Sequence, residues 1–148
     1  MKNTYSTAKV CPYRKPEERI SSTPEKCNLS LEPDLQSILM KSRDYDELVH
    51  VWKSWRDAAG KPIREKFLRF VELSNEAATL NGFPDTGDMW REAYESDTFQ
   101  QDLDLLWEQL RPLYEHLHAY VRRKLINLYG SDKIREDGPI PAHLFGNI

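Results

Sequence analysis

The sequence predicts an all-α chain, and three observations carry that prediction. Of nine prolines, only Pro62, Pro84 and Pro112 fall between residues 34 and 138, so a long central stretch is nearly free of helix breakers. Apolar residues in that stretch recur three and four positions apart, the period of one helix face. No sustained apolar–polar alternation marks a strand, and neither an internal repeat nor a low-complexity tract is present.

The first helix is expected after Glu32-Pro33, where Leu35, Ile38 and Leu39 form a short stripe. Pro33 suits a first turn, whose N–H groups have no intrahelical partner, and the helix should stop near Ser42. Asp44 followed by Glu47 reads as a variant of the capping box. Leu48, Trp52, Trp55 and Ala59 then give a second helix with a two-tryptophan face before Gly60. Pro62 opens a third, about five turns long, with the seam Ile63, Phe67, Phe70, Ser74 and Ala77, and Asn81-Gly82 supplies its left-handed stop.

A short helix from Asp88 to Tyr94 would bury Met89, Trp90 and Ala93. Asp97 with Gln100 marks the start of a long helix, Thr98 to Tyr129, which Pro112 should kink. Its face carries Leu103, Leu106, Leu110, Leu113, Leu117, Val121 and Leu128, and Gly130 ends it. The tail from Gly138 to Ile148 reads as a turn and then apolar residues without a polar cap, an element cut part-way.

At 148 residues and 17.4 kDa the chain suits one unit of ordinary size. With 39% hydrophobic and 30% charged residues, wholesale disorder is excluded. A net charge of −3 lacks the basic excess of a phosphate-backbone binder, so no nucleic-acid partner is expected. No stretch reaches the ~20 apolar residues of a membrane span, and the first thirty residues hold no signal-like run, so a targeting signal would lie outside this chain.

Cys11 and Cys27 enclose a polar, proline-containing stretch with little hydrophobic reason to stay ordered. Two readings stand: a disulfide staple worth roughly 3 kcal/mol in an oxidising compartment, or two unrelated thiols. Asn28-Leu29-Ser30 is an N-glycosylation sequon beside Cys27, which points with the cysteines toward an extracellular setting.

A helical zinc peptidase needs two histidines four apart with a glutamate beside the first, and no His-Glu-x-x-His is present. His116 and His118 would project about 200° apart on a helix, so His50, His116, His118 and His143 read as surface or hydrogen-bonded histidines. No nucleophile elbow, phosphate loop or Cys–His pair occurs. Arg122-Arg123-Lys124 is either a basic contact surface or a solvated face complementing the helix dipole. Arg56, beside a tryptophan face, either binds an anion as a partly desolvated guanidinium or pairs with an acidic neighbour.

Several segments carry a family likeness: YSTAKVC from Tyr5, LEPDL from Leu31, WKSWRDAAG from Trp52, VEL from Val71, LNGF from Leu80, QLRPLY from Gln109, LHAYVRR from Leu117 and GPIPAHLFGN from Gly138. Through them the chain resembles the angiotensin-converting enzyme family of zinc peptidyl-dipeptidases, in family order and over nearly its whole length. The resemblance implies a mostly helical enzyme, secreted or on the extracellular face of a membrane, that needs zinc and chloride. Its peptide substrates would lose C-terminal dipeptides, a carboxypeptidase-type cleavage.

Carried over by motif, Cys11 and Cys27 look like the family's first disulfide pair, with a longer stretch between them here. Residues 1–31 are then a disulfide-stapled loop segment and 32–148 an incomplete helical portion of the catalytic domain. Arg56, in Trp-x-x-Trp-Arg-Asp, is similar to the arginine that helps bind the activating chloride, and Glu32 resembles an acidic residue bordering the primed-side substrate pockets. The family's zinc helix and catalytic residues fall beyond this stretch. No catalytic or metal-ligating residue is therefore assigned here, and the chain alone is expected to hydrolyse no peptide and hold no zinc. Met1 aligns with an interior methionine of the family, so the resemblance implies a fragment or partial gene model.

The alternative is a truncated, secreted helical binding module without catalysis. Either way the isolated chain is expected to be helical but loosely packed, with Ile140, Leu144, Phe145, Ile148 and the faces bearing Trp52, Trp55 and Trp107 partly exposed.

Overall fold

The computed structural model describes residues 1–15, 17 and 26–146. Its helices are α1 (Lys2–Thr7), α2 (Gln36–Lys41), α3 (Tyr45–Trp55), α4 (Arg64–Leu80), α5 (Thr86–Arg91) and α6 (Phe99–Tyr129). Among the described residues the extended pairing is one isolated antiparallel bridge, Val10 with Leu29, so the chain is all-α. It divides into two compact units, Met1–Glu65 with Leu125–Ile148, and Lys66–Lys124.

The first unit holds the core. Val10, Leu35, Leu39, Leu48, Val51, Trp55 and Ala59 pack together with little or no exposure. Backbone bonds between Val10 and Leu29 (2.9 and 3.0 Å) close the base of the Cys11–Cys27 loop. Residues 18–25 of that loop lie outside the described residues. Near the other end of the segment, helix α1 sets the Tyr5 ring edge-on against Trp55 at 5.3 Å.

One expectation for this unit holds and two need correction. Glu32 is extended (φ −115°, ψ 132°) and the backbone after it is helical, so Pro33 stands in a first turn that runs on into α2. The Asp34 carboxylate ties this turn back to Ser30, accepting from its N–H (2.8 Å) and its hydroxyl (2.7 Å). The buried stripe of α3 is Leu48, Val51 and Trp55, continued by Ala59, while Trp52 stays half-buried at its edge. Ile140 is buried, not exposed, and Ile134 is buried with it. Phe145 is exposed, and Ile148 lies outside the described residues.

Asp44 caps α3 as its spacing predicts, accepting from the N–H groups of Asp46 (3.0 Å) and Glu47 (3.1 Å). The return arm of the box differs. Glu47 accepts from the Ser42 hydroxyl (2.5 Å), whose oxygen in turn accepts from the Asp44 N–H (3.1 Å). Ser42 is thus inserted as a relay between cap and glutamate.

In Lys66–Lys124 the helices are defined by local signals. At the end of α4, Gly82 takes φ +85°, and Phe83 N–H reaches Ala78 O at 3.0 Å, satisfying carbonyls that the helix leaves open. Asp85 caps α5 through the Asp88 N–H (2.9 Å), so this helix starts earlier than predicted, at Thr86. Helix α6 runs 31 residues through Pro112 without interruption. The apolar faces are largely uncovered: Phe67, Phe70, Trp90 and the α6 leucines are exposed, as is Ala93, and Met89 is half-buried. Ala78 alone is buried in this unit.

Candidate functional site

Arg56 follows directly from α3, in a wide helical turn that spans Arg56–Gly60. One turn back, Trp52 lies on the same face, because residues four apart are neighbours on a helix. The guanidinium carbon stands 3.5 Å from the Trp52 ring centroid, and Nη1 donates to Trp52 O at 3.1 Å. Burial lowers the guanidinium pKa from its ordinary value, although an arginine stays charged under all ordinary conditions. The acidic neighbour Asp57 does not pair with it, for that carboxylate is taken by Lys61 at 2.9 Å. Arg56 is therefore a half-buried cation with one face covered by indole and, among the described residues, no carboxylate partner. Chemically, such a group suits a small anion.

Glu32 precedes the turn that runs on into α2, exposed, its Oε1 accepting from Gln36 Nε2 at 3.0 Å. Among the described residues no hydrogen bond or ion pair joins it to Arg56. Cys11 and Cys27 are joined in a disulfide. His50 anchors that staple to α3, its Nε2 donating to Cys11 O at 2.9 Å while its ring leans on Tyr13. Asn28 is exposed, and the serine of its sequon, Ser30, is the group that ties to Asp34. That contact holds the Asp34 carboxyl below the usual range, the Ser30 N–H contributing most and its hydroxyl next.

The remaining histidines are scattered. On α6, His116 Nδ1 donates to Pro112 O at 2.6 Å and the His118 ring tilts over Tyr114. His143 departs from the surface reading: it is 8% exposed, packs edge-on against Tyr45 at 4.6 Å, and its Nε2 has no partner among the described residues. Nothing local marked it, because its burial comes from α3, remote in sequence. Among the described residues, each unit has a hollow of its own. One of about 440 Å³ is lined by Leu39, Arg43, Leu48, Leu128 and Phe145 among others. The other, about 590 Å³, is lined by Phe83, Phe99 and carboxylates that include Asp88, Glu92 and Asp104.

The chain is mostly helical, with a disulfide-stapled leading segment and a tryptophan-backed arginine. The family model described as angiotensin-converting enzyme, peptidase family M2, matches residues 1–148, and the chain belongs to that family. It is 53% identical over 148 residues to angiotensin-converting enzyme of Rattus norvegicus, covering all of this chain and 10% of that protein. Angiotensin-converting enzyme of Theromyzon tessulatum is 50% identical over 144 residues, 97% of this chain and 22% of its own length. The angiotensin-converting enzyme-like protein Ace3 of Mus musculus is 49% identical over 148 residues and is covered to 19%. The chain thus spans about a tenth to a fifth of these relatives.

The family is one of zinc metallopeptidases, but the residues described here do not fit that metal. Among them no three His, Cys, Asp or Glu side chains converge on a point. Both cysteines are consumed by the disulfide, and His116 Nδ1 is bonded to Pro112 O. No helix among the described residues is long and apolar enough to cross a membrane.

Proposed function

We propose that this chain is a non-catalytic part of a zinc peptidyl-dipeptidase, supplying helical wall to an enzyme that removes C-terminal dipeptides from peptides. The observation that carries the reading is the family match over the full 148 residues. In this reading Arg56 provides one half of an activating chloride site, and Glu32 borders the substrate pockets. The half-buried, indole-backed guanidinium without a carboxylate partner supports the first role. The exposure of Glu32 is compatible with the second. The disulfide and the exposed Asn28 support an extracellular or secreted setting and glycosylation of that asparagine.

A chimera tests this. Residues 1–148 replace the matching stretch of the Rattus norvegicus relative, and dipeptide release is followed against chloride concentration. The expected result is a zinc-loaded, chloride-activated enzyme whose chloride dependence weakens in Arg56→Gln with zinc content unchanged. A folded, zinc-loaded chimera without activity would overturn the reading, and an unchanged chloride response would remove Arg56 from the anion site. The non-catalytic binding module is a second reading, favoured by the uncovered apolar face of α6.

A further inference from the structure

The sequon Asn28-Leu29-Ser30 is built into the packed unit beside the disulfide. Leu29 is paired with Val10 through both of its backbone groups (2.9 and 3.0 Å), and its side chain packs on the core that buries Val10. Every polar group of Ser30 is engaged as well. Its N–H donates to the Asp34 carboxylate (2.8 Å), and its carbonyl accepts from the Leu35 N–H (3.1 Å). Its hydroxyl donates toward Asp34 Oδ2 and Glu32 O, each at 2.7 Å. Of the three sequon residues, Asn28 alone is exposed. Cys27, immediately before it, is bonded to Cys11, immediately after Val10, so the disulfide and the backbone bridge clamp the same place.

Building on the reading of Asn28 as a glycosylation site, we infer that it accepts an oligosaccharide only while this segment is unpaired. Glycan transfer and closure of the Cys11–Cys27 disulfide then compete, and the second ends the first. In the transfer, Asn28 Nδ2 forms a bond to the anomeric carbon of a lipid-linked oligosaccharide, and the bond from that carbon to the lipid pyrophosphate breaks. The pyrophosphate leaves with the electron pair, and a base of the transferase takes the amide proton. The acceptor signal includes a hydroxyl two residues beyond the asparagine, so the enzyme must reach Ser30 as well as Asn28. In the folded chain that hydroxyl already donates within its own turn, and the segment cannot enter another protein's cleft while Leu29 stays paired. Closure adds a steric conflict of its own. The two thiols pass two electrons and two protons to the disulfide of an oxidoreductase by way of a mixed disulfide. Where Cys27 carries that intermediate, the oxidoreductase stands one residue from Asn28. A glycan added first leaves the fold intact, because the bonds of Leu29 and Ser30 use none of the Asn28 side chain.

The purified 148-residue chain, oxidised or reduced, is offered to oligosaccharyltransferase with its lipid-linked oligosaccharide donor, and the mass of the peptide holding Asn28 is followed with time. Thiol labelling reports the disulfide, and hydrogen exchange at the Val10 and Leu29 amides reports the pairing. Transfer to the reduced chain is expected to be about tenfold faster or more, since a paired segment is reached only through local opening. Cys11→Ser, 17 positions from Asn28, leaves the sequon and its neighbours untouched and should bring the unreduced chain close to the reduced rate. Asp34→Ala, with the disulfide retained, should raise the oxidised rate by a smaller factor, because it releases the Ser30 hydroxyl. Equal rates in the oxidised and reduced chains would overturn the inference while leaving Asn28 an acceptor. Freely exchanging Val10 and Leu29 amides in the oxidised chain would overturn it too, for want of the pairing it needs. No transfer to the reduced chain would overturn the glycosylation reading itself, and this inference with it.

Discussion

The two units of the chain are helical for different reasons. In Met1–Glu65 with Leu125–Ile148, helices are held by burial: Leu35 and Val51 have no exposure, and Trp55 and Ile134 have almost none. In Lys66–Lys124 they are held by the Asp85 cap, the left-handed stop at Gly82 and pairs one turn apart, such as Arg69 with Glu72 and Arg91 with Asp88. Exposed pairs of that kind contribute only a few tenths of a kcal/mol each. An apolar stripe therefore predicts that a helix forms, but not that its face is covered in the same chain.

The largest expected effect is a contrast between two apolar truncations. Trp55→Ala should destabilise the first unit by about 3–5 kcal/mol, through lost transfer energy and the cavity left behind. Leu80→Ala, at a side chain 82% exposed, should stay within about 0.5 kcal/mol. Denaturant titration followed by circular dichroism reads both, and comparable losses would break the contrast.

Next in size is the staple. Cys11 and Cys27 are 16 positions apart, and a loop of this length is worth roughly 3 kcal/mol in the chain-entropy picture. Cys27→Ser, or reduction, should raise amide exchange at Val10, Leu29 and the core helices α2 and α3 while leaving α5 and most of α6 unchanged. Hydrogen exchange with mass spectrometry separates the units. Equal acceleration in both would mean that they unfold as one body.

How much of this was legible in the sequence follows the same divide. Local features read correctly: the Asp44 cap, the Gly82 stop, the end of α6 before Gly130, and Arg56 one helical turn from Trp52. Features that depend on a remote partner did not. Val51 and Trp52 point about 100° apart, and only the position of α2 decides that Val51 goes inside. Ile134, Ile140 and His143 lie in a segment without regular periodicity, so their burial leaves no pattern to read. The same limit applies at the candidate site. The tryptophan-arginine adjacency is a property of one helix, whereas the loss of Asp57 to Lys61 depends on a residue that reads as ordinary surface charge. Ser42, the relay in the α3 cap, was missed because the capping box is recognised by two residues and this one uses three.

The smallest expected effect concerns pH, and it falls on the packed unit alone. His143 sits beside Tyr45 with Nε2 unpartnered, and burial pushes its pKa below the ordinary 6.5. Lys133 is close, its Nζ 4.4 Å from the centroid of the same Tyr45 ring and 3.9 Å from Asp46, while the Tyr129 ring contacts Tyr45 as well. A proton on His143 would add a second positive charge to this cluster in a place poor in solvent. The unfolded chain binds that proton more readily than the folded one, so stability rises with pH across this interval. The contribution is complete above about pH 6.5 and is lost as pH falls from there toward the folded-state value. Asp34 acts in a separate, lower window: its contribution is present above its ordinary 3.8 and is lost as pH falls beneath it. His143→Phe keeps the edge-on aromatic contact and removes the titration. It should flatten the dependence of unfolding free energy between pH 7 and pH 5, with protection of residues 142–145 no longer falling in acid. A slope of undiminished size in that variant would assign the effect to another group and show that the segment after α6 is held without regard to the charge state of this imidazole.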